Sequence, residues 1–329
     1  MRKGFVDLQV NGYLGIDFSA PDLTLDKIRF ITEELVKRGT IGYCPTIVTS
    51  SFEIYRKNLP LIAEAMEKPG LSPHILGIHL EGPFISPEEG PRGAHSEKFI
   101  IPPDIKKYKR FQEFANGEIA IVTLAPELKG ADRLIEYIAG EDGVVVSIGH
   151  HNADHEAIKK ACGLGATCAT HIGNGISDLL HRHKNPIWAE LAEDAITGMF
   201  ITDGNHIPDE FIKVALRAKT PEGFIVTSDS ISLAGMKPGE YEIKGKKVVL
   251  EKDGRIKIIG TKYLAGSSRN MLQCMNKLAS LGLLGEDELW EAGFSNPLKL
   301  IKRKLVEKDY GKLADLEFKS NIFSKGEES

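Results

Sequence analysis

Residues 143–175, GVVVSIGHHNADHEAIKKACGLGATCATHIGNG, contain a strand, a helix and a second strand in that order. Val144–Ile148 and Thr167–Ile172 are short runs rich in Val, Ile and Thr, which is typical of strands buried on both faces. The polar stretch between them has helical character, with Asn152 or Asp154 available as its N-cap. The sequence therefore predicts two parallel strands joined by a crossover helix.

The same alternation extends over most of the chain. Eight apolar runs predict eight strands: Gly4–Val10, Ile41–Val48, Ile75–Leu80, Ala120–Leu124, Val144–Ile148, Thr167–Ile172, Gly198–Thr202 and Phe224–Thr227. Eight such units favour an α/β fold of the (β/α)8 TIM-barrel type, which takes roughly 250 residues. A doubly wound open sheet is the alternative, and we disfavour it because no GxGxxG follows the first strand.

Two long segments interrupt the alternation and set the expected organisation. We predict a single catalytic barrel over residues 1–316, with insertions at 82–103 and 236–263, and a tail at 317–329. The second insertion is expected to hold a small β-hairpin of two strands around a Lys252-Asp253-Gly254 turn. The polar tail is expected to be frayed.

Composition excludes several classes of partner. The net charge of -4 offers no basic field for nucleic acid, and we find no apolar run long enough for a membrane span. The four cysteines form no CxxC pair, and the N-terminus lacks the apolar core of a secretion signal. We therefore expect a cytoplasmic protein that does not bind nucleic acid or membranes.

The C-terminal ends of the predicted strands carry most of the reactive side chains. These ends offer Gln9 and Asn11, His79 and Glu81, His150 and His151, His171 and Asn174, Asp203 and His206, and Asp229. A single histidine at a strand end is more often a hydrogen-bonded structural residue than a ligand. Here, however, six of eight strands deliver such residues to the end of the barrel where catalysis occurs. The pattern predicts a metal or acid–base site.

Glu81, His150 and His171 can supply one carboxylate and two imidazole ligands to a metal ion. Such a set suits zinc first, with iron, manganese and cobalt as alternatives. Asp229 is then the free carboxylate that can accept a proton from water.

Two other patterns have simpler explanations. His151 and His155 are four residues apart but lack the glutamate of an HExxH motif, so we predict surface residues. Leu264–Asn270, LAGSSRN, matches neither a phosphate loop nor a nucleophile elbow, and we expect it to cap a helix.

The chain also resembles a known family in a series of ordered stretches: GIHLEGPFISPEEGPRGAH, VTLAPE, VSIGHHNAD, GATCATHIGNG, ITDGNHI, VTSDS and LAGSS. They are similar to the signature segments of N-acetylglucosamine-6-phosphate deacetylases, members of the amidohydrolase superfamily, and span about Gly4 to Leu316. The resemblance implies a barrel of the metal-dependent hydrolase type. Because the first predicted strand starts at Gly4, the small β-sandwich of this family is expected to be reduced or absent.

The resemblance also implies roles for individual residues. It makes Glu81, His150 and His171 metal ligands, in agreement with the residue types. It makes Asp229 the general base and acid, and gives His95 the task of polarising the acetyl carbonyl.

Further positions match the substrate contacts of the family. Asn174, Gly175 and His206 correspond to residues that contact the sugar phosphate. Arg182 corresponds to an arginine that reaches the phosphate of the neighbouring subunit, which implies a homodimer. The implied reaction removes acetate from N-acetylglucosamine-6-phosphate; the alternative is another N-acyl substrate, such as an unphosphorylated amino sugar or an N-acyl amino acid. Cyclic-amide members typically carry a lysine on strand four, and AIVTLAPEL has none.

Strand one bears on the number of metal ions. Many amidohydrolases have His-x-His here, which binds a second metal, whereas this chain has Gln9 and Asn11. Since amides are poor ligands for first-row cations, we interpret these as vestigial second-metal positions and predict one divalent metal ion per subunit.

Overall fold

A computed structural model describes residues 4–243, 245–260, 264–303 and 316–325 of the chain. Eight parallel strands lie side by side in chain order: β1 (Phe5–Val10), β2 (Thr40–Val48), β3 (Ile78–Glu81), β4 (Ile119–Leu124), β5 (Val145–Ile148), β6 (Ala166–Ala169), β7 (Thr197–Ile201) and β8 (Phe224–Thr227). The chain after β8 returns to β1 through a parallel bridge between Ser230 and Val10. The predicted (β/α)8 barrel is confirmed.

One main helix separates each strand from the next or follows the last. The helices are α1 (Leu25–Lys37), α2 (Phe52–Glu67), α3 (Ile105–Phe114), α4 (Ala131–Gly140), α5 (His155–Gly163), α6 (Pro186–Ala192), α7 (Asp209–Lys219) and α8 (Met271–Ser280). Short polar side chains cap several of them; Asp154, for example, accepts a hydrogen bond from the backbone of Ala157 at the start of α5. Further helical segments cover Glu286–Trp290, the π-helical Glu291–Ser295 and Asn296–Leu300. No helix in the described ranges is both long and apolar enough to cross a membrane.

Polar side chains fill part of the barrel interior below the strand ends. Thr123 on β4 and Thr170 just after β6 share a hydrogen bond of 2.7 Å, which crosses the interior because these strands are not neighbours. His79 contacts Thr123 at 2.7 Å, and Ser147 contacts Thr170 at 2.6 Å. Because buried polar groups are costly unless paired, this network fixes the strand ends relative to each other.

The insertion after β8 holds more sheet than expected. Three antiparallel strands form there: β9 (Gly239–Ile243), β10 (Lys246–Leu250) and β11 (Ile256–Ile258). The predicted turn joins β10 to β11, with Gly254 donating to the carbonyl of Glu251. The predicted hairpin is confirmed, and β9 is an additional strand that the sequence did not predict, because GEYEI alternates polar and apolar residues too briefly to stand out. Tyr241 and Ile243 nevertheless pack on the apolar cluster under this sheet.

The end of the chain is also ordered where it is described. β12 (Leu316–Lys319) and β13 (Ile322–Lys325) form an antiparallel hairpin. Phe323 is buried, with its ring centroid 4.9 Å from Phe5 and 5.2 Å from Trp290. The expectation of a frayed tail is wrong for residues 317–325, since one buried aromatic side chain anchors an otherwise polar segment. Residues 326–329 lie outside the described part.

Candidate active site

The strand ends bring three predicted ligands into direct contact. Glu81 ends β3, His150 lies two residues after β5, and His171 lies two residues after β6. Oε1 of Glu81 is 3.2 Å from Nε2 of His150 and 3.1 Å from Nε2 of His171, and the two Nε2 atoms are 3.2 Å apart. All three side chains are buried. We call these three residues the donor triad.

The donor triad fits a divalent metal ion. Tetrahedral zinc with bonds of about 2.0–2.1 Å holds its ligand atoms roughly 3.3 Å apart, close to the spacing found here. Nδ1 of His150 lies 2.8 Å from the carbonyl of Pro91, which can only accept, so Nδ1 carries a proton and Nε2 is the nitrogen that would bind a metal. The two-nitrogen, one-oxygen set matches the chemistry of first-row metals.

Glu81 and His171 shift each other's pKa values. Although burial raises the pKa of Glu81, its hydrogen bonds with His150 and His171 hold that pKa well below its usual range. Burial lowers the pKa of His171, but the contact with Glu81 outweighs it and raises the pKa. The triad therefore favours an ionised carboxylate facing positive charge, which is what a cation would supply.

The backbone is strained at three site residues. His150, His171 and Asp229 have φ angles of +55°, +33° and +48°, in the left-handed region that residues other than glycine rarely adopt. Such conformations cost free energy and cluster at functional sites, where the surrounding structure enforces them. Each one turns a side chain at the point where its strand has ended.

Asp229 faces the triad through two amides. Its Oδ1 accepts hydrogen bonds from Nδ2 of Asn11 at 2.6 Å and Nε2 of Gln9 at 3.0 Å. The same Gln9 nitrogen also donates to Oε1 of Glu81 at 2.7 Å, so one amide bridges two carboxylates. Within the described ranges we find no hydrogen bond to Oδ2 of Asp229. Burial and the negative charge of Glu81 raise the pKa of Asp229 to about 7.

Comparisons with known proteins identify the family of this chain. The chain is 33% identical to N-acetylglucosamine-6-phosphate deacetylase of Mus musculus over 333 aligned residues, covering 97% of this chain and 78% of the mouse protein. It is also 33% identical to the Bacillus subtilis deacetylase of that name over 274 residues, 82% of this chain and 67% of the relative. The chain belongs to the N-acetylglucosamine-6-phosphate deacetylase family.

Solved structures give the same result at the level of the fold. A crystal structure of N-acetylglucosamine-6-phosphate deacetylase from Thermotoga maritima aligns with a TM-score of 0.82 and 26% identity, covering 99% of this chain and 89% of that one. A search against protein-family models gives no match.

His95, a predicted site residue, lies beside the triad. Its Nε2 is 3.9 Å from Oε2 of Glu81, and its ring centroid is 4.3 Å from that of His150. Its Nδ1 contacts Oγ1 of Thr49 at 2.8 Å. Thr49 is not among the predicted site residues, although it directly follows β2, at the same kind of strand-end position as the others.

Three of the predicted substrate-contacting residues are half-buried, whereas Arg182 is exposed. Asn174 and Gly175 follow His171 and are half-buried, and Nδ1 of His206 lies 2.8 Å from Oδ2 of Asp203. Arg182 is exposed, and no contact joins its side chain to the donor triad in the described part of the chain.

Position 175 requires glycine because the backbone there passes close to the ring of His150. The φ of Gly175 is +62°, and a Cβ there would lie 2.9 Å from Nδ1 of His150. A side chain at this position would push against a triad member, so only glycine fits without displacement.

Two minor predictions have opposite outcomes. His151 is not a surface residue: it is buried, and its Nε2 lies 2.9 Å from Oε1 of Glu190 on α6. This prediction is wrong because a buried carboxylate from a distant helix, invisible in the local sequence, pairs with the ring. His155 is exposed as predicted. The LAGSSRN segment does lead into a helix, where Asn270 forms a capping box with Gln273 at the start of α8.

Proposed function

We propose that this chain hydrolyses the acetamide bond of N-acetylglucosamine-6-phosphate, releasing glucosamine-6-phosphate and acetate. Family membership supports the reaction class. The observation that carries the proposal is the buried donor triad beside Asp229, whose Oδ1 is occupied by two amides. This is the arrangement that amide hydrolysis by an activated water requires.

Glu81, His150 and His171 would hold one divalent metal ion, with zinc preferred and iron, manganese or cobalt compatible with the same ligands. When bound, such an ion supplies Lewis acidity, which favours ionisation of water and polarises an acyl carbonyl. A second ion is not expected, because the amides of Gln9 and Asn11 are poor ligands for first-row cations. These two residues are the vestigial second-metal positions.

Asp229 is the proposed base and acid. Because Gln9 and Asn11 fix its Oδ1, Oδ2 is the oxygen available to take a proton from the attacking water. The same oxygen can return that proton to the departing amine nitrogen, so one carboxylate serves both steps. A pKa raised toward neutrality suits a group that must hold and release a proton in each turnover.

His95 is proposed to donate an N–H to the acetyl oxygen as negative charge develops there. This requires the proton on Nε2, and hence an Nδ1 that accepts from the hydroxyl of Thr49. We find no other acceptor for that hydroxyl in the described ranges. The opposite tautomer would therefore leave a buried O–H without a partner, at a cost of about 1–3 kcal/mol.

Substrate binding is assigned to the loops around the triad. Asn174, Gly175 and His206 are proposed to contact the sugar phosphate. Arg182, which is exposed and makes no contact with its own triad in the described ranges, is proposed to reach the phosphate bound by the partner in a homodimer. The protein would act in the cytoplasm, where amino sugar phosphates are metabolised.

The test is acetate release from a panel of N-acetyl compounds beside metal analysis. We expect turnover of N-acetylglucosamine-6-phosphate and much weaker turnover of N-acetylglucosamine and N-acetyl amino acids. Equal activity on phosphorylated and plain sugars would contradict the phosphate requirement. No acetate release from any compound by metal-loaded protein would contradict the proposed reaction.

The role of Arg182 can be tested across the subunit boundary. Arg182→Ala should raise KM for the phosphorylated sugar, whereas Lys184→Ala, an equally exposed cation two residues away, should not. If Arg182 acts on the partner's substrate, mixing Arg182→Ala subunits with Asp229→Asn subunits creates hybrid dimers with one complete site. Activity should then rise above that of either variant alone. Mixtures that gain nothing, or a protein that is monomeric in sedimentation, would contradict this arrangement.

A further inference from the structure

Asp7 is a buried carboxylate that the proposed mechanism does not use. Its side chain is 1% exposed, and its Oδ1 accepts from the backbone of Gln9 at 3.2 Å, the backbone of Ser228 at 3.1 Å and Oγ1 of Thr227 at 2.9 Å. Its Oδ2 accepts from the hydroxyl of Ser228. Burying a carboxylate costs free energy even when it is hydrogen-bonded, so the presence of a carboxylate at this buried position calls for an explanation.

Ser228 connects Asp7 to the base. It directly precedes Asp229, and its Oγ also accepts from the backbone of Ser230 at 3.1 Å. We call residues 228–230 the Asp229 turn. One hydroxyl therefore ties both flanks of the turn together, and Asp7 holds that hydroxyl in place.

The other side of the Asp229 turn is also fixed to β1. The carbonyl of Ser230 accepts from the backbone of Asn11 at 2.8 Å and of Gly12 at 3.1 Å. The amides of Gln9 and Asn11 hold the carboxylate itself. Segment 7–12 thus contacts the turn at its backbone, its hydroxyl and its reactive end.

We propose that Asp7 is a positioning residue for Asp229, acting through the hydroxyl of Ser228; the inference rests on the proposed function. Asp229 adopts a φ of +48°, which the chain does not favour by itself. Without the Asp7–Ser228 contact, the turn relaxes toward an ordinary conformation and Oδ2 moves away from the reacting atoms. Displacements of about 1 Å can cost roughly 100-fold in rate.

The alternative is that Asp7 only stabilises the fold, and three substitutions separate the two roles. In Asp7→Asn, the amide oxygen can keep the three Oδ1 contacts, but the amide nitrogen cannot accept from the Ser228 hydroxyl. Ser228→Ala removes the same contact from the other side. Thr227→Val is the matched control, because it removes a different hydrogen bond to Asp7 and leaves the Asp229 turn untouched.

The measurements are kcat and KM for acetate release from N-acetylglucosamine-6-phosphate, metal content and Tm. Asp7→Asn and Ser228→Ala should each lower kcat by roughly 10- to 100-fold, with KM and metal content close to wild type. The double variant should be no worse than the worse single variant, because both break one link. Thr227→Val should lose Tm to a similar extent and keep its kcat.

Three results would overturn the inference. The first is a kcat equal to that of the wild type in either Asp7→Asn or Ser228→Ala. If Asp7→Asn does not fold, the result for Ser228→Ala alone decides this point. A kcat that falls in step with Tm in all three variants, Thr227→Val included, indicates a structural role. If the losses of kcat in the two single variants add fully in the double variant, the proposed link between Asp7 and Ser228 is contradicted. Failure of the wild type to release acetate from this substrate instead refutes the proposed function, and the inference falls with it.

Discussion

Replacing Asp229 by asparagine should stabilise the metal-free protein while it removes catalysis. The amides of Gln9 and Asn11 donate to Oδ1 of Asp229, so the asparagine carbonyl oxygen stays there and its NH2 group takes the place of Oδ2. That NH2 cannot accept a proton. Loss of a general base typically costs 10²- to 10⁴-fold, and we expect kcat to fall by about 10³-fold or more while the metal content is unchanged.

The stability gain follows from the pKa of Asp229. Burial and the charge of Glu81 raise it from 3.8 to about 7, a shift of about three units or about 4 kcal/mol. A carboxyl group with a raised pKa binds its proton more tightly in the folded state, so folding is penalised increasingly as pH rises from 3.8 to 7. An uncharged asparagine escapes this penalty. Asp229→Asn should therefore gain up to about 4 kcal/mol at pH 8 and only about 2 kcal/mol at pH 5.

The assay is urea unfolding of chelated wild-type and variant protein at pH 5 and pH 8, beside acetate release by the metal-loaded proteins. Asp203→Asn is a control of opposite sign. Although burial raises the pKa of Asp203, its hydrogen bond with His206 outweighs burial and lowers it, so this variant should lose stability at both pH values. A chelated Asp229→Asn that is less stable than wild type at pH 8, or whose gain does not depend on pH, would refute the reasoning. Substantial turnover by Asp229→Asn would refute the assignment of the base.

Three further predictions concern the surroundings of the triad. Thr49→Val should lower kcat roughly tenfold by releasing His95, with Thr49→Ser restoring it; equal losses in both variants would point to packing instead. Gly175→Ala places a Cβ 2.9 Å from Nδ1 of His150 and should weaken metal binding at least tenfold by dialysis against chelator; unchanged affinity would contradict the steric argument. Because Glu81 raises the pKa of His171, zinc competes with a proton there, and zinc affinity measured by calorimetry should fall on acidification. Affinity equal at pH 6 and pH 8 would be the contrary result.

The barrel and the donor triad were predictable because both depend on local pattern. Continuous apolar runs such as Phe224–Thr227 identify buried strands, and the topology then places every strand end at one rim. Glu81, His150 and His171 follow from that rule and from their ligand types alone. The family resemblance adds the expected roles and the reaction.

What the sequence did not predict depends on pairs distant in the chain. Nothing in the sequence around Asp7 reveals that Ser228 would donate to it. His151 is buried rather than exposed because it pairs with Glu190, which lies on a distant helix. Thr49 is a candidate site residue only because it contacts His95. The terminal hairpin is ordered because Phe323 is buried. In each case the deciding contact joins segments that only the folded barrel brings together.

The number of metal ions needed for acetate release tests the account most directly. Chelated protein would be titrated with zinc, and acetate release from N-acetylglucosamine-6-phosphate measured at each step. Activity should rise from near zero and reach its maximum at one zinc ion per chain, and Glu81→Gln protein should neither retain the ion nor recover activity. Full activity after chelation, or a maximum only at two tightly bound ions per chain, would contradict a single metal held by the donor triad.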